Sequence, residues 1–166
     1  MTRKENTRVI YPGTFDPITN GHTSIIERAS AIFGEVRVAV AGNPSKKTMF
    51  TLAERETFAR VVTEHLENTS VSSFSGLLVD FAKQIDINIL VRGLRTTADF
   101  EYENSLADVY RKIVPSMESV FLTPTNEKYR YLSSTIVREI AIHGGDTTPF
   151  VHTFVANALD RKREQI

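Results

Sequence analysis

Four loops hold the residues whose types and spacing could do chemistry, and each follows an extended apolar run and precedes a helical pattern. The first is Tyr11-Pro12-Gly13-Thr14-Phe15-Asp16-Pro17-Ile18-Thr19-Asn20-Gly21-His22. Its two prolines and two glycines fix an irregular path, and Gly13 and Gly21 would let backbone approach a phosphate closely. His22 falls at a helix entrance, where free N–H groups and the positive dipole end favour an anion, though a histidine there equally caps or packs locally. The second loop, Asn43-Pro44-Ser45-Lys46-Lys47-Thr48, offers two ammonium groups; Lys47 reads as solvated, and Lys46 gains interest only from following a strand. The third, Arg92-Gly93-Leu94-Arg95, brackets a glycine with guanidinium groups that can grip phosphate bidentately, a role compatible with pairing to Asp99 or Glu101. The fourth, Tyr129 to Arg138, places the hydroxyls of Ser133, Ser134 and Thr135 at a helix start, as N-cap material or as partners for phosphate oxygens, with Arg138 one turn further on.

The elements that must position these loops alternate along the chain. Extended runs are read at Arg8–Tyr11, Val36–Val40, Ser70–Phe74, Ile87–Val91 and Val120–Leu122. Between and after them, apolar residues recur at helical spacing: Ile25, Ile26, Ala29, Ile32, Phe33; then Phe58, Val61, Val62, Leu66; then Leu77, Leu78, Phe81, Ala82, Ile85. Helices also follow over 99–113, from Ile136 to a stop at Gly144-Gly145, and over Phe150–Leu159. Thr51 and Glu54 have capping-box spacing. Alternation of this kind predicts an α/β fold on a parallel sheet, whose ligands bind where strands end and helices begin. The polar third run suits an edge; the apolar fourth suits a centre covered on both faces.

Composition bounds the rest. At 166 residues with 41% hydrophobic content, the chain is read as one domain over residues 1–166. Residues 1–7 are read as a polar N-terminal tail and 161–166 as a charged C-terminal tail. Twenty Lys+Arg balance twenty Asp+Glu, so no basic field marks a nucleic-acid or anionic-membrane binder. The absence of Cys excludes disulfides and thiol chemistry and fits a reducing cytoplasm. Neither an apolar leader nor a membrane span is visible. There is no P-loop, no G-x-G-x-x-G and no H-E-x-x-H, and the Asn68-Thr69-Ser70 sequon is read as chance.

Thr19-Asn20-Gly21-His22 resembles the T/H-x-G-H signature of the nucleotidylyltransferase superfamily, and Leu132-Ser133-Ser134-Thr135-Ile136-Val137-Arg138 resembles its I-S-S-T-x-x-R signature. More narrowly, Tyr11 to His22, Pro44-Ser45-Lys46-Lys47, and Arg92-Gly93-Leu94-Arg95 followed by Asp99-Phe100-Glu101-Tyr102-Glu103 resemble the phosphopantetheine adenylyltransferase family, over about Arg8 to Asp160. The resemblance implies transfer of the adenylyl group of ATP to 4′-phosphopantetheine, giving dephospho-coenzyme A and pyrophosphate in the penultimate step of coenzyme A synthesis. It implies that Thr14 and His22 meet phosphates beside Phe15, and that Lys46 and Arg92 hold the acceptor's phosphate. Leu77 and Leu78 would line the pantetheine channel, and Gly93, Leu94, Arg95 and Glu103 would border ATP. Tyr129, Arg130, Tyr131, Leu132, Ser133, Ser134 and Thr135 would close over the nucleotide. Two departures stand out: Thr135 replaces a usual Ser, and the loop before it is one residue longer, with Lys128, Tyr129 and Arg130 where an aromatic-Ser pair is common.

An acceptor that is already an ionised phosphate needs no general base and no covalent intermediate. Catalysis then consists of aligning mutually repelling anions and stabilising the charge that grows on the non-bridging and leaving oxygens. His22 is expected at the α-phosphate, Lys46 and Arg92 at the nucleophile, and Arg95 with Ser133 and Ser134 at the pyrophosphate. Mg²⁺ is expected on the triphosphate, held by substrate oxygens and water, with no protein metal site. The expected fold is a Rossmann-like five-stranded parallel sheet in the order 3-2-1-4-5 with helices on both faces. A homohexamer built as a dimer of trimers and feedback binding of coenzyme A follow from the resemblance, with no nucleic-acid or membrane partner. A related enzyme acting on nicotinamide mononucleotide or glycerol phosphate shares both superfamily signatures, and a non-catalytic nucleotide or coenzyme A sensor is the remaining alternative.

Overall fold

The computed structural model describes residues 4–43, 47–129 and 131–165. Strands β1 (Lys4–Gly13), β2 (Phe33–Gly42), β3 (Thr69–Ser75), β4 (Ile89–Gly93) and β5 (Glu118–Leu122) form one parallel sheet in the order 3-2-1-4-5. Helices α1 (Asn20–Ile32), α2 (Leu52–Thr63), α3 (Leu78–Gln84), α4 (Thr97–Ile113), α5 (Ser134–Ile142) and α6 (Thr153–Arg163) cover it. The pleat sends alternate residues to opposite faces. Val9, Tyr11, Val36, Val38, Val40 and Val91 join one buried cluster with α1, α2, α5 and α6. Ile10, Ala39 and Leu90 join a second with α3 and the end of α4. Right-handed crossovers force this division, because the chain reverses its direction across the sheet between β3 and β4 and must change faces. The reversal leaves a crevice between the C-terminal ends of β1 and β4, the switch point where open α/β sheets bind ligands.

Several element bounds differ from the sequence reading. β1 begins at Lys4, pairing with Phe33 across an irregularity before Arg8, so most of the expected N-terminal tail is strand. Backbone pairing extends it there, a contribution that side-chain polarity does not reveal. Phe33, expected to continue the first helix, opens β2 instead. Arg92 and Gly93 are the last residues of β4 and not part of its following loop. Phe150 and Val151 precede α6 yet still pack on the core, and α6 continues through Arg163, taking up half of the expected charged tail. Basic residues suit that last turn, where the carbonyl end of the helix is negative. The Thr51–Glu54 capping box is present, and Gly144 adopts φ +76 beyond α5, as a left-handed cap requires.

The loop between β1 and α1 is held by charge buried in the protein. Asp16, 4% exposed, accepts hydrogen bonds from the backbone N–H groups of Met49 (2.8 Å) and Phe50 (2.9 Å). Arg138 on α5 lies 3.5 Å from that carboxylate and also donates to the Asp16 carbonyl. Arg55 on α2, 3% exposed, donates to the carbonyls of Thr14 (2.5 Å), Ala41 (2.9 Å) and Phe50 (3.2 Å). Gly13 is required because a Cβ there would stand 2.6 Å from the Phe15 ring; at Gly21 a Cβ would meet only ordinary contacts, the nearest at 3.5 Å. Seating an aromatic ring is thus a second demand on Gly13, beside the expected close approach of a phosphate. Asp16→Ala takes the acceptor from the Met49 and Phe50 N–H groups and the opposite charge from Arg138, and we expect it to destabilise the fold by about 3 kcal/mol in urea unfolding, with Asp16→Asn recovering part of that.

Candidate functional site

A cavity of about 290 Å³ occupies the crevice, lined by the β1–α1 loop, the end of β4 and the start of α5. His22 is the third residue of α1 and reaches it by way of the cap. The Thr19 backbone N–H donates to His22 Nδ1 at 3.0 Å while the Thr19 hydroxyl accepts from the His22 N–H at 3.5 Å. Capping and facing the cavity are thus one arrangement. With Nδ1 accepting, the neutral ring carries its proton on Nε2 and presents that N–H as a donor. Burial, and then the positive charge of Arg95, push the imidazole down to about 4, so the ring is neutral at pH 7. His22 therefore offers a directed dipole. The Phe15 ring meets it edge-on at 5.2 Å, and Tyr11 packs on Phe15 at 5.5 Å, so Phe15, 3% exposed, forms the floor of the cavity.

Arg92 and Arg95 both face the cavity, each already paired. Arg92 makes a bidentate pair with Glu103, Nε to Oε2 at 2.5 Å and Nη2 to Oε1 at 2.9 Å. Arg95 pairs with Asp99 at 3.3 Å and donates to the Leu132 carbonyl at 3.1 Å, tying the third loop to the fourth. Asp99 is therefore the partner of Arg95, and the Arg92 partner is Glu103, eleven residues on, rather than Glu101. Asp99 also closes a capping box with Thr96. At the fourth loop Ser133 caps α5 by accepting from Ile136 N–H at 3.2 Å, and the Ser134 hydroxyl donates to the Pro17 carbonyl at 2.8 Å. Both still line the cavity, as do Gly93, Tyr129 and Leu132.

Other expected residues lie elsewhere. Thr135 is exposed, accepts from Arg138 at 3.3 Å and borders none of these cavities, because each helical residue turns the side chain about 100° away from its predecessor. Arg138 pairs with Asp16. Leu94 and Tyr131 line an adjoining cleft of about 790 Å³, which shares Arg95 and Pro124 with the central cavity. Thr14, Leu77 and Leu78 line a third, about 640 Å³, which meets the central cavity at Pro12, Gly13 and Arg92. Lys46 and Arg130 lie outside the described residues. Sequence reasoning missed Asp16 and Arg55, which hold the site together. Arg55 had a signal: it shares the buried face of Phe58, Ala59 and Val62, where an unpartnered charge is untenable. Tyr11, buried in the cavity wall with its phenol pushed up by burial and so protonated, had none beyond strand periodicity.

Residues 10–140 match the cytidylyltransferase-like family, and the chain belongs to it, with the fold and crevice of a nucleotidyltransferase. Among solved structures, the chain is similar to a protein from Vibrio parahaemolyticus assigned as a nicotinate-nucleotide adenylyltransferase, with TM-score 0.72 and 18% identity over 95% of this chain and 96% of that one. It is also similar to a lipopolysaccharide core biosynthesis protein from Thermoplasma volcanium, with TM-score 0.54 and 20% identity over 72% of this chain and 98% of that one. At those identities the likeness is one of fold.

Nitrogen-detected NMR should find His22 as the Nε2–H tautomer, titrating near pH 4 in the folded protein. The unfolded chain takes that proton near 6.5, so the contribution to stability is complete above about pH 6.5 and is lost progressively as pH falls toward about 4.

Proposed function

We propose that this chain transfers the adenylyl group of ATP to 4′-phosphopantetheine, giving dephospho-coenzyme A and pyrophosphate. The observation that carries the reading is the junction of two unlike cavities at Arg92. One is polar, walled by His22, Arg95, Ser133 and Ser134. The other has an apolar wall of Leu77, Leu78, Leu106, Val109 and Ile113, suited to an extended thioalkyl amide whose phosphate sits at the junction. The family's nucleotidyl chemistry and the first neighbour's assignment support adenylyl transfer.

In this reading the nucleotide lies across the central cavity and the cleft lined by Leu94 and Tyr131. The acceptor's phosphate attacks the α-phosphorus in line, and the pyrophosphate leaves. His22 donates its Nε2–H to a non-bridging α-oxygen, where charge grows as the transition state forms. An arriving triphosphate also raises the imidazole's affinity for a proton, so the donor strengthens as the anion approaches. Arg92, with Lys46 and Thr14, holds the attacking phosphate; Arg95, Ser133 and Ser134 hold the departing one. No general base is assigned, because the nucleophile is already ionised. Mg²⁺ would neutralise the triphosphate. Substrate oxygens and water would carry the ion, as magnesium commonly allows.

A pyrophosphate-release assay with Mg-ATP should show turnover with 4′-phosphopantetheine far above that with nicotinamide mononucleotide or glycerol phosphate; preference for either of the latter sinks the reading. In the same assay His22→Ala should lose about 10²–10³ in turnover with the KM for ATP nearly unchanged.

Assembly belongs to the same proposal. α4 buries only Ala107 fully, while Tyr102, Val109 and Ile113 stand 65%, 50% and 49% exposed. Val109 and Ile113 also wall the acceptor cleft, so the further copies of this chain that we assign to this face, as a dimer of trimers, would close that cleft from outside. Coenzyme A, sharing the acceptor's arm, would compete for the same cleft. No helix among the described residues is long and apolar enough to cross a membrane, and a cytoplasmic location fits the cysteine-free composition. Light scattering should give the mass of six chains, and Val109→Asp should lower it.

A further inference from the structure

Tyr11 stands near the end of β1 with its side chain in the wall of the central cavity, 5% exposed. The pleat places it on the α1 face of the sheet, where its ring packs on Phe15 at 5.5 Å, the same ring that meets His22 at 5.2 Å. Its hydroxyl reaches the end of β4: a Cβ built on Gly93 would stand 3.3 Å from Oη. Gly93 lines the same cavity, so the oxygen sits in the wall that β4 contributes. No described residue gives this hydroxyl a hydrogen bond; Arg92, Arg95 and Glu103 act on it through their charges alone. A buried hydroxyl without a partner is unfavourable, and native proteins keep few of them. Phenylalanine would pack equally well at a position that required only a ring. Burial raises the phenol above its ordinary range and keeps it protonated, against the opposite pull of Arg92 and then Arg95. Tyr11 therefore brings a donor, and not a second anion, to a place where both guanidinium groups are felt.

We infer that Tyr11 is a further catalytic residue: its Oη–H donates to a non-bridging oxygen of the phosphate under attack, beside the Nε2–H of His22. This rests on the reading of adenylyl transfer in the central cavity and holds for any phosphorylated acceptor. The arginines set the position. Arg92 is assigned to the attacking phosphate and Arg95 to the departing one, and both line the cavity with Tyr11, so the phosphorus that passes between those anions comes within reach of Oη. As the acceptor's oxygen bonds to that phosphorus, the bond to the bridging oxygen breaks and its electron pair leaves with the pyrophosphate. Charge on the non-bridging oxygens is what a fixed donor stabilises in that step. The phenol keeps its proton throughout, so it serves as neither acid nor base. The two donors are held by different means, the imidazole by the Thr19 cap and the phenol by β1 and by packing on Phe15.

Tyr11→Phe removes one oxygen and leaves the packing. Because a hydrogen bond to a charged group is worth about 10- to 100-fold, turnover with Mg-ATP should fall by that factor, with the KM for ATP and for the acceptor each within about threefold. Thermal melting should find the variant no less stable than its parent, since the lost hydroxyl has no hydrogen-bond partner among the described residues. A second measurement reads the contact itself. The two α-phosphorothioate diastereomers of ATP each carry sulfur in place of one non-bridging α-oxygen, and sulfur accepts poorly from a hydroxyl. The penalty that the parent enzyme shows for one diastereomer, relative to ATP, should shrink about 10-fold in Tyr11→Phe. Each penalty is a ratio within one protein, so a change in stability does not obscure it. Unchanged turnover overturns the inference, as does a loss confined to either KM. A lower melting temperature with both penalties unchanged marks a structural hydroxyl and overturns it as well. Absence of pyrophosphate from the unaltered protein with every acceptor overturns the functional reading and this inference with it. An active parent enzyme with full turnover in Tyr11→Phe overturns this inference alone.

Discussion

The carboxylate of Asp16 ties together three elements: the β1–α1 loop, the segment leading into α2, and α5. Its two oxygens take the backbone N–H groups of Met49 and Phe50, and Arg138 supplies the opposite charge from α5. A buried charge left unpaired is far more unfavourable than the pair is favourable, so this arrangement behaves as a constraint more than as a source of stability. Once it is met, Pro17 is held where Ser134 can donate to its carbonyl, and the loop leads directly into the Thr19 cap. His22 then has one place to be, one tautomer to adopt and one N–H to offer.

The rest of the cavity follows the same rule: the arginine and serine side chains that face it are held by partners of their own. Arg92 is clamped by Glu103 and Arg95 by Asp99, while Ser133 and Ser134 are occupied with backbone groups. Such donors lose little freedom when an anion arrives, which is the physical content of preorganisation. The pairing also moderates the field. A set of bare cations in a crevice would repel one another and destabilise the fold; cations carrying their own carboxylates, beside a neutral imidazole, keep the site close to charge balance while leaving directed N–H groups free. Recognition of phosphate here depends on donor geometry at least as much as on net positive charge.

The alternation of strands and helices behind a parallel sheet was legible in the sequence because it rests on local periodicity, whereas the order of the strands was implied by the family resemblance. Val36, Val38 and Val40 alternate, the residues of α1 and α2 recur at helical spacing, and Thr51 with Glu54 announces a helix start. The rim of the sheet as a binding place follows from that architecture without any coordinate, and so does the convergence of the loops carrying His22, Arg92, Arg95 and Ser133. What stayed hidden is long-range: Arg55 bonding to Thr14, Asp16 to Met49, Arg138 to Asp16 and Ser134 to Pro17 each join residues distant along the chain.

By itself, the sequence determined which residue types stand at strand ends and which faces of strands and helices are apolar, and these are enough to class the fold and to name the loops that carry the chemistry. Tertiary structure alone decided which of those side chains are available. Thr135 is turned away by the helical rotation, Arg138 is taken by a buried carboxylate, His22 is neutral because burial and Arg95 disfavour its proton, and Arg92 answers to Glu103. The physical reason is that charge, tautomer and hydrogen-bond partner are set by neighbours brought together across the fold, whereas hydrophobic period is written in adjacent residues.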